Sequence, residues 1–410
     1  MIVYTGVNRT KRRLENNWIQ FLSLNSSKLS LDSIAGATPP SVFVGRYGYP
    51  KVRLGPMVPP IHGETTILDK PEMWLGKTLY EIIGYRLSLV RGVMDFDIQT
   101  PSGRYIESLQ ELAMANKPVE SEATFEKRPI ADIEQVIKNR LNTDSAPFGP
   151  VAALKTFRTS SSISVDRRLE DAYYDKDLHA SNAILSLYEQ GIDVSIIQRI
   201  FSLGMLGTTK KRRLVPTRWS ISAIDDTISS HLVKNIETNA TIDRIEVYKY
   251  SHLGNYYSII LIPDQVWSFE MQEAWLDTFS SLGLAVDFED ANGLDHYPSS
   301  IAGAYFAAKL AVTEHLSKRR RKSGAVVLRE IRSEEYVMPL GVWQIREGVR
   351  QALKDSTNVK RDFESLERAY EYACSSLSVS RNEWRSNSKI YRNLKRSQSR
   401  ITDFFSSTCS

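Results

Sequence analysis

What most constrains the fold of this chain is the order in which its structural signals arrive. Helical periodicity and short strand-like runs come in blocks, without the regular strand–helix–strand alternation that a parallel sheet with crossover helices requires. The expectation is an α+β fold: mixed helices and mainly antiparallel strands, with C-terminal helices followed by a flexible tail. The clearest strand block is Pro39-Pro-Ser-Val-Phe-Val-Gly45-Arg-Tyr-Gly48-Tyr-Pro50-Lys-Val-Arg-Leu-Gly55-Pro56, where Gly and Pro cut β-prone pieces into strands joined by tight turns. It holds neither GxGxxG nor GxxxxGK[ST], so its glycines read as turn formers more readily than as a phosphate cradle.

Helical periodicity predicts helices over 17–24, 72–91 and 106–115, and 123–128 reads as a strand. Residues 179–190, Gly191 and 193–202 read as helix, glycine turn, helix, with Asp193 at the N-cap position. That layout resembles a helix-turn-helix whose Ser195, Gln198 and Arg199 would face bases, although helical hairpins more commonly serve packing. Val247–Tyr250 and Tyr256–Ile262 predict a β-hairpin across Leu253-Gly254. Residues 267–282 are expected to be helical, and the acidic run Asp287-Phe-Glu289-Asp290, with Asp295-His296, to be a loop. A helix slim in Gly303, Ala304, Ala307, Ala308 and Ala311 should pack very closely on a neighbour, before a strand over 325–331 and a helix from Pro339. From Val359 the chain reads as helical and basic, with Arg381, Arg385, Lys389, Arg392 and Arg396 on one stripe and Trp384, Ile390, Tyr391 and Leu394 opposite.

The 410 residues are 42% hydrophobic and 25% charged, enough apolar material for a sizeable core and two or three domains. A net charge of +5 is compatible with nucleic acid without demanding it. Cys374 and Cys409 are the only cysteines, which excludes a disulfide framework and a cysteine-type zinc site. No run has the apolar length of a membrane span and the N-terminus lacks a hydrophobic signal core, so the expectation is a cytoplasmic protein with no membrane partner.

Three stretches carry candidate chemistry. The first, residues 157–179, is dense in polar groups. Arg158, Ser160, Ser161, Ser162, Arg167 and Arg168 are donors of the kind a phosphate or nucleotide needs. Asp166, Glu170, Asp171 and Asp175, with Asp177 and His179, are ligands a hard divalent metal accepts, or else caps and a solvated acidic face. The second is Lys210-Lys211-Arg212-Arg213 followed by Arg218-Trp219, where cations beside an aromatic suit a phosphate backbone and stacked bases, or form a solvated loop. Lys309, on an alanine-rich and buried helix, is the first candidate for a Schiff-base nucleophile.

The third stretch is the tail. Gln398, Ile401, Phe404 and Phe405 stand within one helical turn or two, giving an apolar plug with a hydrogen-bonding residue at its rim. The spacing Gln-x-x-Ile-x-x-Phe-Phe looks like the peptide by which replication and repair proteins bind the sliding clamp, PCNA. The plainer alternative is that the aromatics fold back onto the protein's own core.

Taken together, several strings resemble the archaeal Nre proteins, a family of DNA repair proteins. They are Pro39–Pro56, Arg158-Thr-Ser-Ser-Ser162, Asp166–Asp175, Lys211–Ser220, Tyr297–Lys309, Leu328–Ile331 and Pro339–Val349. The resemblance implies an N-terminal region over 1–285, a mostly helical C-terminal region over 286–395 and a clamp-binding tail over 396–410, with PCNA and DNA as partners. Many members look to carry a cysteine-rich zinc motif at the N-terminus; residues 1–30 here contain no cysteine, so no zinc is carried over. The family implies a role at damaged DNA without fixing a reaction. An accessory repair factor, a metal-dependent nuclease or abasic-site lyase, and a nucleotide-binding domain are all open readings at this point.

Overall fold

The computed structural model describes residues 31–99, 101–129, 149–159, 163–264, 266–276, 283–294, 297–298, 300–332, 334–336, 339–354 and 360–395. The expected helix at 17–24, the serines 160–162 and the tail 396–410 lie outside the described residues. Two compact units result, Met1–Ile228 with Met338–Gly341, and Ser229–Val337 with Val342–Ser410.

The first unit is built on a sheet in the order β1-β5-β6-β4-β3-β2, and the fold is α+β as expected. Its strands are β1 (Ser33–Thr38), β2 (Val42–Val44), β3 (Lys51–Val58), β4 (Val90–Asp97), β5 (Val119–Phe125) and β6 (Val151–Thr159). Every pairing is antiparallel except β4 with β6. Ile34, Val58, Val90, Ala123, Phe125 and Leu154 close one apolar cluster on this sheet. The helices are α1 (Leu79–Leu87), α2 (Arg104–Met114), α3 (Arg167–Tyr174), α4 (Ala180–Glu189), α5 (Val194–Ser202) and α6 (Thr217–Glu237), the unit boundary falling inside α6. The single helix expected over 72–91 is a correction. Thr78 and Glu81 form a capping box that starts α1 late, and Val90 and Arg91 already belong to β4.

The second unit carries the sheet β10-β9-β11-β8-β7-β12, with β9 and β11 parallel and the other pairs antiparallel. Its strands are β7 (Ile245–His252), β8 (Asn255–Ile262), β9 (Phe269–Leu276), β10 (Leu284–Glu289), β11 (Gly324–Arg332) and β12 (Arg361–Phe363). Its helices are α7 (Gly303–Arg319), α8 (Trp343–Ala352), α9 (Leu366–Cys374), α10 (Arg381–Asn387) and a last helical stretch at 389–395. α7 packs against α8 and β9, its alanines buried as the slim sequence implies. Along β8 the two side-chain faces part company. Tyr257 donates to the Gln344 carbonyl in α8, while Ser258 donates to the Ala373 carbonyl in α9. Helices therefore cover both faces of the central strands.

This sheet overturns two expectations. Residues 269–276 form the buried strand β9 and not a helix, and Asp287 and Glu289 sit in β10 and not in a loop. A strand buried on both faces shows no period-two alternation. Asp287 accepts from the Ile301 backbone N–H at 2.8 Å, and Glu289 accepts from Trp267 Nε1 at 2.8 Å.

Glu246, buried on β7, accepts from Arg319, Lys360 and Tyr248. Burial alone would raise its carboxyl, but those three donors outweigh it and bring the pKa down to about 2. A depressed folded pKa gives stabilisation that is complete above the ordinary value of 4.5 and is lost as pH falls through about 2. Glu246→Gln is expected to be less stable than the parent at pH 7, with the gap in unfolding midpoint closing steadily between pH 4.5 and 2. A gap that stays constant over that range contradicts the assignment.

Candidate nucleic-acid interface

The polar stretch after β6 folds into α3, α4 and α5. Asp166 caps α3 by accepting from the Arg168 N–H, and its carboxylate pairs with the Arg168 guanidinium at 2.7 Å. That guanidinium holds the Asp166 carboxyl below its usual range. Arg168 also donates to the Gln190 carbonyl at 2.8 Å, so it ties α3 to the end of α4. Asp175 accepts from the N–H groups of Asp177 and Leu178, making the turn between α3 and α4.

Arg212 fixes the following basic loop. It donates to the carbonyls of Gly207 (2.7 Å), Tyr173 (2.8 Å) and Asp175 (3.0 Å), and lies over the Tyr173 ring. Its neighbours Lys211 and Arg213 are exposed and line a cleft of about 370 Å³ with His179, Ser181, Phe201, Thr208 and Val215. Gly204 lets the loop approach: its φ is +64°, and a Cβ there would stand 2.7 Å from the Arg213 carbonyl oxygen. The first turn of α4 opens beside this cleft, and His179 at its N-cap makes no side-chain cap bond. Lysine, arginine and helix-start N–H groups together favour a phosphate-bearing ligand.

The same loop continues to a second surface. Leu214 N–H donates to the Ile98 carbonyl (2.9 Å), and Ile98 N–H donates to the Pro50 carbonyl (3.1 Å). Val44 N–H donates to Thr217 Oγ1 at 3.0 Å. The turn between β2 and β3 is thereby set against the start of α6, with the Tyr49 and Trp219 rings 5.1 Å apart. Gly48 shapes that turn with φ +85°, where a Cβ would meet the Lys51 carbonyl at 2.8 Å.

Of the candidate residues read from sequence, the fold brings Lys211, Arg213 and His179 together in the cleft and places Arg218 beside Trp219 on α6. Arg212 is spent on the backbone and Arg168 on Asp166. Arg167 is exposed and faces Asp171 at 3.8 Å, Glu170 is half-buried on α3, and Arg158 is exposed on β6 opposite Glu122. Among the described residues no three His, Cys, Asp or Glu side chains group in a way that holds a metal ion. Lys309 is buried in the second unit, its ammonium 2.8 Å from Glu289. The helix-turn-helix reading loses its reader: Gln198 is buried and donates to Asp225, and Arg199 donates to the Ala113 carbonyl. Asp193 pairs with Lys70 at 2.9 Å and makes no side-chain cap. Tyr47 and Tyr49 were not legible as site residues. The only local hint was tyrosine alternating with glycine in a turn.

Among the described residues no helix is long and apolar enough to cross a membrane. Two family descriptions match the chain, "Archaeal Nre, N-terminal" over residues 14–280 and "Archaeal Nre, C-terminal" over residues 289–404. The chain is 38% identical to DNA repair protein NreB of Archaeoglobus fulgidus over 78% of its own length and 79% of that protein's. It is 36% identical to DNA repair protein NreA of the same organism, covering 87% and 88% of the two chains. Against DNA repair protein NreA of Haloferax volcanii the identity is 34%, over 79% of each. No solved structure matches the chain.

Proposed function

The chain belongs to the archaeal Nre family, and from that premise we propose that it is a DNA repair protein recruited to the PCNA sliding clamp by its C-terminal peptide. The observation that carries the clamp reading is the complete pattern Gln398-x-x-Ile401-x-x-Phe404-Phe405 at the end of the chain, into which the C-terminal family match extends. The peptide follows closely on the helical stretch 389–395, whose Ile390 and Tyr391 are buried in the second unit, so it starts from a fixed point. The clamp sets where the protein acts. Contact with DNA falls to the cationic cleft and loop of the first unit, through Lys210, Lys211, Arg213 and Arg218.

Burial of each apolar anchor is worth roughly 1.5–3 kcal/mol before ordering costs, so three anchors dominate the peptide's affinity. Phe404→Ala/Phe405→Ala is expected to weaken binding to purified clamp by about 100-fold or more, with melting of the protein unchanged. Titration calorimetry with the full chain measures this. Undiminished clamp affinity in the double variant would sink the tail reading.

A further inference from the structure

The patch at Tyr47, Tyr49 and Trp219 has features that stability does not require. Trp74, Trp267 and Trp384 are all buried to less than 2% exposure, whereas Trp219 is 45% exposed, Tyr49 50% and Tyr47 75%. These rings are nevertheless mounted on a fixed frame. The backbone bonds through Ile98 and the Val44–Thr217 bond join segments that are far apart in sequence, and Arg46 lies 5.1 Å from the Tyr47 ring centroid.

The charge around the rings has one sign where it is not compensated. Lys51 and Arg53 stand opposite Asp97 and Asp95 across β3 and β4, and Arg53 pairs with Asp95 at 3.4 Å. The excess therefore comes from the exposed Lys210, Lys211 and Arg213 of the loop that leads from the cleft to Trp219. A ligand that matches both features has flat apolar faces strung on an anionic backbone.

We propose that this patch binds unpaired bases of single-stranded DNA, which stack on Tyr49, Trp219 and Tyr47 while the phosphates follow the cationic loop toward the cleft at α4. In a duplex the base faces are closed by their own neighbours and only edges are offered, so exposed rings have nothing to stack on. The inference rests on the DNA-repair reading and adds the class of DNA recognised.

The test uses the full chain, fluorescein-labelled oligothymidylate of about 15 nucleotides and a duplex of the same length. The parent is expected to bind the single strand more tightly than the duplex. Tyr49→Ala/Trp219→Ala should lose about 100-fold on the single strand, about 10-fold per stacking ring, with duplex binding little changed. Tyr49→Phe/Trp219→Phe keeps the ring faces and should keep most of the affinity, which separates stacking from a folding defect. Lys211→Ala/Arg213→Ala should weaken both DNAs alike and flatten the salt dependence. If the alanine pair at 49 and 219 leaves single-strand binding intact, or weakens both DNAs equally, the stacking proposal is wrong while the DNA contact stands on Lys211 and Arg213. If the parent binds neither DNA at low salt, the proposal and the DNA-contact reading fall together, and the clamp reading is judged separately by the tail variant.

Discussion

Lys309→Ala is expected to destabilise the second unit by about 3–5 kcal/mol, because it breaks a buried ion pair by removing one partner only. The lysine lies on α7 among alanines, and its ammonium meets Glu289 at 2.8 Å with both side chains at most 5% exposed. Glu289 would keep its charge and one hydrogen bond, from Trp267, and would lose its compensating cation. For a unit of this size each kcal/mol moves the midpoint by roughly 2–4 °C, so a drop of about 6–20 °C is expected in thermal unfolding. Replacing the pair together, as Lys309→Met/Glu289→Gln, keeps an acceptor for Trp267 and should restore much of the loss. A single variant that melts within 2 °C of the parent would show that the pair is not what holds α7 against β10. The same pairing gives Lys309 a structural occupation and takes it out of reach of a DNA sugar.

Trp384→Ala is the second large effect, at about 3–5 kcal/mol for emptying a fully buried indole site. Trp384 packs with Tyr370, Ile390 and Tyr391 against Val247, Ile260 and Val326 of the sheet. Two strand carboxylates add to the docking. Glu330 accepts from the N–H groups of Ser378 (2.6 Å) and Val379 (2.9 Å). Glu270 accepts from those of Lys389 (2.6 Å) and Ile390 (3.0 Å), so acidic side chains on the sheet cap the last helical segments. Burial pushes the Glu270 carboxyl up, and the Ile390 N–H is the foremost of the donors that oppose this. Hydrogen exchange should show amides over 378–395 losing protection before the sheet does. Uniform loss of protection across the second unit would mean that these helices do not open separately from the sheet.

How much of this was readable in the sequence depended on whether a residue's partner was local. The β7–β8 hairpin was legible because its turn and its apolar strand sit side by side. The strand Phe269-Glu-Met-Gln-Glu-Ala-Trp-Leu276 was not, because it contains no β-branched residue and its polar groups look suited to a helix surface. Glu270 and Glu273 instead reach into the interior, to the backbone at 389–390 and to Arg329. The Arg381–Arg396 stripe assumed one continuous helix, whereas the chain breaks at Ser388, and Arg385 is drawn to Glu367 at 2.8 Å. At the candidate interface, Lys211, Arg213 and Trp219 were visible as a basic loop beside an aromatic. Tyr49 was read as part of a turn, since the ring it faces belongs to a residue 170 positions later.

The docked stretch 389–395 has one more consequence. Eight residues lie between Lys395 and Phe404, and the nine steps from one to the other span at most about 30 Å whatever the conformation. In the proposed complex, with Phe404 seated on a clamp, the second unit would work on a leash shorter than the diameter of many domains. Such a leash holds the protein at an effective concentration on the order of millimolar around the DNA passing through the ring, which makes a weak intrinsic grip on DNA sufficient. Lengthening the leash should dilute that advantage, even with every residue of both binding surfaces left in place.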